Sequence, residues 1–261
     1  MANIQLILKA RIPMKKFLFV IATTLIATAA SAQSAFDGFY GQIATGYESN
    51  QVSNLNATGT FAGPLFIGAP ADVIGAPNQT FGGSPLIIGI GYNFSVASNW
   101  LLGLGVDYSL LSQKSSIFSQ PVTSGTDAGG TLNGNQLTVS NRFNIFLTPG
   151  YAIDEDKLVY LKAGYSSVSL KEGMPTSSSA PGGSLSLTFP SQTNTLSGYI
   201  VGLGYKQIIT AGFYGFAEAN YMAYGQKTYA SPLVAGGSSL TLSNGPNLSS
   251  YQALVGIGYK F

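Results

Sequence analysis

Apolar and polar positions alternate along residues 249–261, at the end of the chain. Large apolar side chains occupy every second position from Tyr251 through Val255 to Phe261, and small or polar residues such as Gly256 and Lys260 stand between them. A period of two residues is typical of a β-strand whose two faces meet different surroundings. The segment therefore predicts a strand with one apolar face.

Seven more segments show the same alternation, and connections of two lengths separate them. The eight predicted strands are 36–48, 84–94, 100–113, 136–153, 157–170, 195–207, 213–224 and 249–261. Short connections (95–99, 154–156 and 208–212) alternate with long ones (49–83, 114–135, 171–194 and 225–248). This asymmetry is typical of outer-membrane barrels, whose short turns are periplasmic.

The sequence therefore predicts an all-β fold. We expect an eight-stranded antiparallel up-and-down transmembrane β-barrel with short periplasmic turns and four long extracellular loops. Extra membrane hairpins in the first or last long loop would raise the strand count to ten. Segments 184–189 and 239–243 also alternate, and we expect them to extend strands above the membrane.

Seven charged residues of the predicted strands share the face opposite to the aromatic one. They are Glu48, Asp107, Arg142, Lys162, Lys206, Glu218 and Lys260. A charge facing lipid near the midplane costs about 2–4 kcal/mol, so we place this face inside the barrel.

Four of these charges predict an ion cluster in the lumen, in which Asp107 and Glu218 pair with Arg142 and Lys162. One interpretation is a gated polar pore. The other is a buried cluster that plugs the lumen, which the narrow interior of eight strands favours because it has room only for side chains.

Aromatic residues recur eight positions apart on the other face. Eight residues of a tilted strand rise about 20 Å along the membrane normal, so the pairs predict two interfacial girdles. The pairs are Phe39 and Tyr47, Trp100 and Tyr108, Phe143 and Tyr151, Phe213 and Tyr221, and Tyr251 and Tyr259.

The first 32 residues match an export leader. Lys15 and Lys16 precede the apolar run 17–30, and Ala30-Ser31-Ala32 fits an A-x-A cleavage site. The run is shorter than the roughly 20 residues of a spanning helix, which disfavours an uncleaved anchor. We expect residues 1–32 to be an N-terminal extension plus a signal peptide, with Met14 the more natural start.

Cleavage between Ala32 and Gln33 would leave residues 33–261 as the barrel domain. The leader holds four basic residues and no acidic ones, so the 12 basic and 10 acidic residues of the chain become eight and ten. The mature net charge of −2 gives no support for a nucleic-acid partner.

The composition excludes several activities. The chain has no histidine and no cysteine, so it cannot build a Ser-His-Asp triad, a Cys/His zinc site or a disulfide. Only 8% of its residues are charged, against about a quarter in soluble domains. We expect no enzymatic activity, no cofactor and no metal. An enzyme that uses Asp or Ser without histidine is the less favoured alternative.

Several segments resemble opacity-type and OmpA-like barrel proteins. They are Phe36-Asp-Gly-Phe-Tyr-Gly, the hairpin of Leu147-Thr-Pro-Gly-Tyr and Leu158-Val-Tyr-Leu-Lys-Ala-Gly-Tyr, and Gly256-Ile-Gly-Tyr-Lys-Phe. The last segment is also similar to the C-terminal signal that the outer-membrane barrel-assembly machinery reads, with Gly256, Tyr259 and Phe261 at its positions.

The resemblance spans about residues 34–261. It implies an integral outer-membrane protein of a Gram-negative bacterium that contacts outer-membrane lipid and lipopolysaccharide. Its implied role is that of an adhesin, a surface antigen or an envelope-stabilising protein, and no catalytic residues follow from it.

The first long loop carries a short repeat, Ile67-Gly-Ala-Pro70 and Ile74-Gly-Ala-Pro77, beside Leu65 and Phe66. It is either a contact surface for a host or cell-surface molecule or a loop that packs on itself. The expected function is a structural, antigenic or adhesive surface role. The alternative is a small pore or conduit for small or hydrophobic solutes, suggested by inward glycines such as Gly103 and Gly105.

Overall fold

The computed structural model describes residues 34–180, 183–186 and 189–261. The predicted leader and the cleavage site at Ala32 and Gln33 lie outside these residues. Among the helices of the described part, none is long and apolar enough to cross a membrane. The described chain forms antiparallel β-structure with one short 3-10 helix, so the predicted all-β class is confirmed.

The strands of the described residues number seventeen rather than eight, because short strands also form within the segments predicted as long loops. Their bounds are β1 Gly38–Ser53, β2 Ala57–Ala62, β3 Asp72–Ile74, β4 Gln79–Gly83, β5 Leu86–Ala97, β6 Trp100–Ser109, β7 Gln113–Lys114, β8 Phe118–Ser124, β9 Thr131–Ala152, β10 Lys157–Gly173, β11 Ser177–Ala180, β12 Gly183–Ser186, β13 Gln192–Thr210, β14 Phe213–Tyr224, β15 Tyr229–Ala235, β16 Ser238–Asn244 and β17 Asn247–Lys260.

Eight of these strands pair in a series that returns to its starting point. Antiparallel ladders join β1 to β5, β5 to β6, β6 to β9, β9 to β10, β10 to β13, β13 to β14, β14 to β17 and β17 to β1. In β1, Ile43 pairs with Ile257 on one side and with Ile88 on the other. We call these eight strands the closed sheet. Its lower end carries the short turns and its upper end the long connections.

Side chains of the closed sheet alternate between a buried and an exposed face. In β9, Phe146 and Thr148 are buried whereas Ile145 and Leu147 are exposed. Leu161 and Leu203, on neighbouring strands, are each 63% exposed. Large apolar side chains thus cover the outside of the closed sheet, an arrangement that a water-soluble surface rarely shows.

Glycines let large aromatic rings fill the lower interior. A Cβ on Gly204 would overlap the Tyr160 ring, and one on Gly258 would overlap the ring of Tyr214. The aromatic side chains therefore occupy space that glycine leaves on the facing strand. This packing of small against large residues suits a narrow interior.

Seven of the remaining strands extend the structure above the closed sheet, while β4 pairs with β1 and β7 with β9. Pairing runs in the order β15, β16, β2, β3, β8, β9, β11 and β12, in which the upper half of β9 takes part. We call this assembly the upper sheet. Its apolar core contains Ile74, Val122, Leu132, Phe189 and Leu242. The strand structure predicted at 239–243 is confirmed, since these residues lie within β16, and the predicted segment 184–189 overlaps β12 but lies partly outside the described residues.

The two copies of the loop repeat have different environments. Ile74 is fully buried in the core of the upper sheet, whereas Ile67 is 87% exposed next to the 3-10 helix Pro64–Phe66. The backbone N–H of Leu65 donates to Ser238 Oγ at 3.0 Å, which ties this tip to β16. One copy packs on the protein and the other is available for contact.

Candidate functional site

The interior of the closed sheet contains a lysine bound by two carboxylates. Lys162 Nζ lies 2.9 Å from Asp107 Oδ2 and 2.8 Å from Glu218 Oε1, and all three side chains are buried. Asp107 is opposite Asn144 on β9, Lys162 is opposite Gly202 on β13, and Glu218 is opposite Gly204, so the three side chains reach one another across the interior rather than along one row of paired residues. The Lys162 ammonium also stands 4.0 Å from the centroid of the Phe146 ring.

Polar side chains saturate this pair of carboxylates. Tyr160 Oη donates to Glu218 at 2.8 Å, Asn220 Nδ2 donates to Glu218 at 2.7 Å, and Asn144 Nδ2 donates to Asp107 at 2.5 Å. Hydrogen bonds of this kind offset the desolvation of buried charge. The arrangement holds its ions in fixed positions rather than offering a free charged surface.

Arg142 belongs to a second network, so the predicted four-residue cluster divides in two. The Arg142 guanidinium forms an ion pair with Glu48, not with Asp107 or Glu218. It also donates to Asn50 and to Tyr224 Oη, each at 3.0 Å. The alternation of the strands places all of these charges on one face, but it does not give their heights, so the pairing with Glu48 was missed.

Gln252 connects the two networks. Its Nε2 donates to Glu48 at 2.7 Å, and its Oε1 accepts from Asn220 at 3.4 Å. Since Asn220 also bonds to Glu218, one hydrogen-bonded layer crosses the interior. We call it the polar layer.

Lys206 lies below the polar layer among aromatic rings. Its Nζ is 4.1 Å from the Tyr40 ring centroid, 5.0 Å from that of Tyr214 and 5.2 Å from that of Tyr160. Within the described residues, no carboxylate lies within ion-pair distance of Lys206. Cation–π attraction therefore holds this buried ammonium.

An apolar layer closes the interior above the polar layer. Six of its side chains are wholly buried: Val52, Val168, Leu170, Leu196, Ile200 and Met222. Each lies on the inward face of its strand and contacts the others in one cluster. Among the described residues, these aliphatic groups pack closely against one another at this level.

Glu172 caps the apolar layer at the upper end of β10. Both of its oxygens accept from Asn244 Nδ2 at 3.1 Å, and a cavity of about 30 Å³ adjoins them. Burial raises the pKa of Glu172 to about 7. Glu172 lies beyond the predicted strand 157–170, although the alternation of Leu170 and Glu172 indicates that both occupy the inward face of β10.

The predicted girdle residues lie on the exposed face at two heights. In the lower set, the Trp100 and Tyr151 centroids are 5.2 Å apart, and those of Phe213 and Tyr259 are 4.8 Å apart. Phe39 packs on Tyr92 at 4.7 Å. In the upper set, Tyr221 and Tyr251 are 4.9 Å apart, and Tyr108 pairs with Phe143 across β6 and β9.

Several aromatics outside the predicted pairs also belong to these two sets. Tyr92 and Phe94 belong to the lower set, and Tyr165 and Tyr199 to the upper set. Tyr47, which was predicted, is 60% exposed. Tyr92, Phe94, Tyr165 and Tyr199 do not follow the eight-residue spacing, because the residue eight positions away on the same strand is not aromatic.

The three residues of the predicted assembly signal lie along the edge where β17 meets β1. The backbone N–H of Phe261 donates to Phe39 O at 2.9 Å, while its side chain is 77% exposed and packs on Tyr259. Gly256 faces inward beneath the Phe216 ring. The terminal aromatic thus projects outward from the lower end.

Residues 34–180, 183–186 and 189–261 hold no group of three or more potential metal ligands of the His, Cys, Asp or Glu type.

No family model and no curated protein matches this chain. Among solved structures, it is similar to the attachment invasion locus protein Ail of Yersinia pestis, at 13% identity and a TM-score of 0.37, covering 86% of this chain and 99% of Ail. It is similar to the outer-membrane protease OmpT from Escherichia coli, at 14% identity and a TM-score of 0.47, covering 90% and 100%.

A third similar structure is the outer membrane protein OprG from Pseudomonas aeruginosa, at 13% identity and a TM-score of 0.45, with 88% of this chain and 99% of OprG covered. These likenesses are distant, and no functional residue is transferred from them.

Proposed function

We propose that this chain is an integral outer-membrane protein in which the closed sheet is an eight-stranded transmembrane barrel. The observation that carries the proposal is the separation of charge from apolar surface. Every charged side chain near mid-height, including Lys162 and Arg142, is buried inside, while Leu161 and Leu203 project outward. Lipid is the surrounding that makes such an exterior favourable.

The closure of the sheet supports the same proposal. Each of the eight long strands has a hydrogen-bonded neighbour on both sides, as backbone groups in hydrocarbon require. The lower and upper aromatic sets bracket the apolar exterior, as expected for the two membrane interfaces. The upper sheet then belongs to the cell exterior, and the short turns to the periplasm.

Spin labels on outward and inward positions test the membrane arrangement. Val106 and Val255 face outward, and Gln252, in the same strand as Val255, faces inward. In protein reconstituted from the outer-membrane fraction, labels at the two valines should report hydrocarbon, with strong relaxation by oxygen. Water-like relaxation at both valines, or recovery of the protein as a freely dissolved periplasmic species, would overturn the proposal.

We propose a structural or adhesive surface role without enzymatic activity, in the manner of the opacity-type and OmpA-like proteins that the sequence resembles. The filled interior supports this role over that of a conduit, because the apolar layer occupies the upper lumen. The exposed tip at Leu65 and Ile67 offers the surface for a host or cell-surface molecule.

Loop replacement tests the adhesive part of the proposal. Exchange of residues 63–69 for a Gly-Ser linker should reduce attachment of expressing bacteria to host cells, with the protein still present in the outer membrane. A matched exchange at the β8–β9 turn, residues 125–129, should leave attachment unchanged. Equal attachment of all strains, including one without the protein, would refute an adhesive role.

A further inference from the structure

Two lysines flank one threonine on the outer wall of the structure. The ladders of β7 with β9 and of β10 with β9 place Lys114 and Lys171 opposite Thr138, one on each side. Directly paired residues project to the same face of a sheet. Both lysines are exposed, whereas Gln113 and Leu170 beside them are buried. Two strand spacings separate the lysine backbones by about 10 Å.

This row lies above the upper aromatic set. On β9, Thr138 precedes Phe143, whose neighbour across the ladder is Tyr108. The intervening residues raise the lysines roughly 10–15 Å along the membrane normal above these aromatics. Long lysine side chains reach back toward the interface, so their ammonium groups stand at the level of lipid headgroups.

Hydroxyl groups occupy the wall between the lysines and the aromatics. Ser140 and Ser169 are paired across β9 and β10, and both are partly exposed. Asn141 is exposed beside them, and its Oδ1 accepts from Tyr108 Oη at 2.9 Å. The patch therefore combines two cations with neutral hydrogen-bonding groups. We call Lys114, Ser140, Ser169 and Lys171 the lysine patch.

The charge of the lysine patch is not compensated by the protein. In the described part of the chain, neither Lys114 nor Lys171 lies within ion-pair distance of a carboxylate. Glu172 follows Lys171 but is buried on the opposite face, and Asp72 of the upper sheet is buried as well. The patch thus presents uncompensated positive charge to the outer leaflet.

We propose that the lysine patch binds a phosphorylated glycolipid of the outer leaflet through its headgroup phosphates. The inference rests on the proposed outer-membrane function and assigns the residues that hold the lipid. Two ammonium groups about 10 Å apart fit a headgroup with more than one phosphate. Serine hydroxyls between them suit sugar hydroxyls. A free phosphate would instead need donors that converge on one point, and this flat patch does not provide them.

Native mass spectrometry of the detergent-folded protein tests the lysine patch. The probes are bisphosphorylated lipid A, its dephosphorylated form and phosphatidylglycerol. The test variant is K114Q/K171Q, and the matched control is K157Q, which removes a lysine whose Nζ lies 2.7 Å from Asp154 in a lower turn. We expect the double variant to retain about tenfold less bisphosphorylated lipid A than the wild type and the control.

Three results would overturn the assignment. The first is that the double variant retains as much bisphosphorylated lipid A as the wild type. The second is that the substitutions reduce retention of dephosphorylated lipid A as much as that of bisphosphorylated lipid A. The third is that they reduce retention of phosphatidylglycerol by the same factor. Heat-dependent electrophoretic mobility verifies that each variant is folded. If the wild type is found in the outer-membrane fraction but the lysine substitutions do not change lipid retention, only this inference is refuted. A wild type absent from that fraction refutes the proposed function itself.

Discussion

Glu48 illustrates what a single buried charge requires of its neighbours. Its carboxylate pairs with Arg142 and accepts from Gln252 and Asn50 at 2.7 and 2.9 Å. Both charged partners are almost fully buried. Removing either partner leaves the charge of the other buried without a counter-charge and without water. The resulting loss of folding free energy is larger than the net stabilisation that the ion pair provides.

Substitution of Glu48 by Gln is therefore expected to destabilise the protein by about 3–5 kcal/mol. The double variant E48Q/R142M should recover part of this loss, because it also removes the unpaired guanidinium. Urea unfolding in phospholipid vesicles measures both, with fluorescence of the single tryptophan, Trp100, as the signal. A single variant as stable as the wild type would contradict the buried pairing.

Glu172 gives the upper part of the molecule a pH dependence. Burial raises its pKa from the ordinary value of 4.5 to about 7, and the Asn244 amide only partly offsets this. The packed groups that face it include Tyr229, whose pKa is raised by burial and then by Glu172, while Lys171 points to the other face. Between these two pH values the folded form holds a proton that the unfolded form has lost.

Stability of the region around Glu172 should accordingly be greatest below about pH 4.5 and decline as the pH rises through 7, by up to about 3 kcal/mol. Hydrogen exchange of the β16 amides, corrected for intrinsic rates, should show less protection at pH 8 than at pH 5. The E172Q variant keeps a neutral side chain and should lose this difference. Unchanged pH dependence in that variant would assign the effect to another group.

At the scale of strands, glycines on the two faces have different roles. Gly204 of β13 faces inward, and a Cβ there would overlap the Tyr160 ring. Gly215 of β14 faces outward, where a Cβ would make an ordinary contact with Ile209 at 3.6 Å. The same substitution therefore tests interior packing at one site and only backbone preference at the other.

Gly204→Ala is expected to cost about 1–3 kcal/mol through overpacking, whereas Gly215→Ala should be neutral or slightly stabilising. Urea midpoints of the two variants provide the comparison. The addition of Y160A to Gly204→Ala should remove the overlap, so the two changes should be strongly non-additive. Equal midpoints for the two glycine variants would show that the ring does not fill this space.

Local alternation predicted the long strands, the sorting of their faces and the strand at 239–243, but not most of the other strands of the upper sheet. The segment 195–207 lies within β13, and inward Asp107 and outward Tyr108 follow from parity alone. By contrast, β2 is defined by its pairing with β16, for example Thr60 with Thr241. Such contacts join distant parts of the chain, and short Ser- and Thr-rich segments carry little local signal for them.

The pairing of the interior charges was unpredictable for a related reason. Parity gives the face of a side chain, whereas its partner depends on the relative heights of strands that are not neighbours. Arg142 on β9 meets Glu48 on β1 across the interior, while Lys162 on β10 takes both Asp107 and Glu218. The stagger of the closed sheet sets these heights, and it is not visible in a single strand.

For the molecule as a whole, the layered interior determines permeability. The carboxylates of the polar layer are held by Lys162, Arg142 and neighbouring amides, although the buried Asn220 Oδ1 has no hydrogen-bond partner in the described structure, and the apolar layer lies directly above. We expect the protein in planar bilayers to show no steady single-channel conductance. Stable current steps that vanish when Arg142 or Glu218 is substituted would instead establish the pore alternative.

The length of β9 has a mechanical consequence. This strand runs for 22 residues, from the upper sheet at Thr131 to the lower turn at Ala152; its lower part is bonded to β6 and β10, and its upper end to β8 and β11. A pull on the outer end is therefore carried as shear by many backbone hydrogen bonds at once, rather than peeling them one after another. A load applied to the upper end of β9 is thus transmitted, through a single continuous stretch of backbone, to the lower turn of the closed sheet.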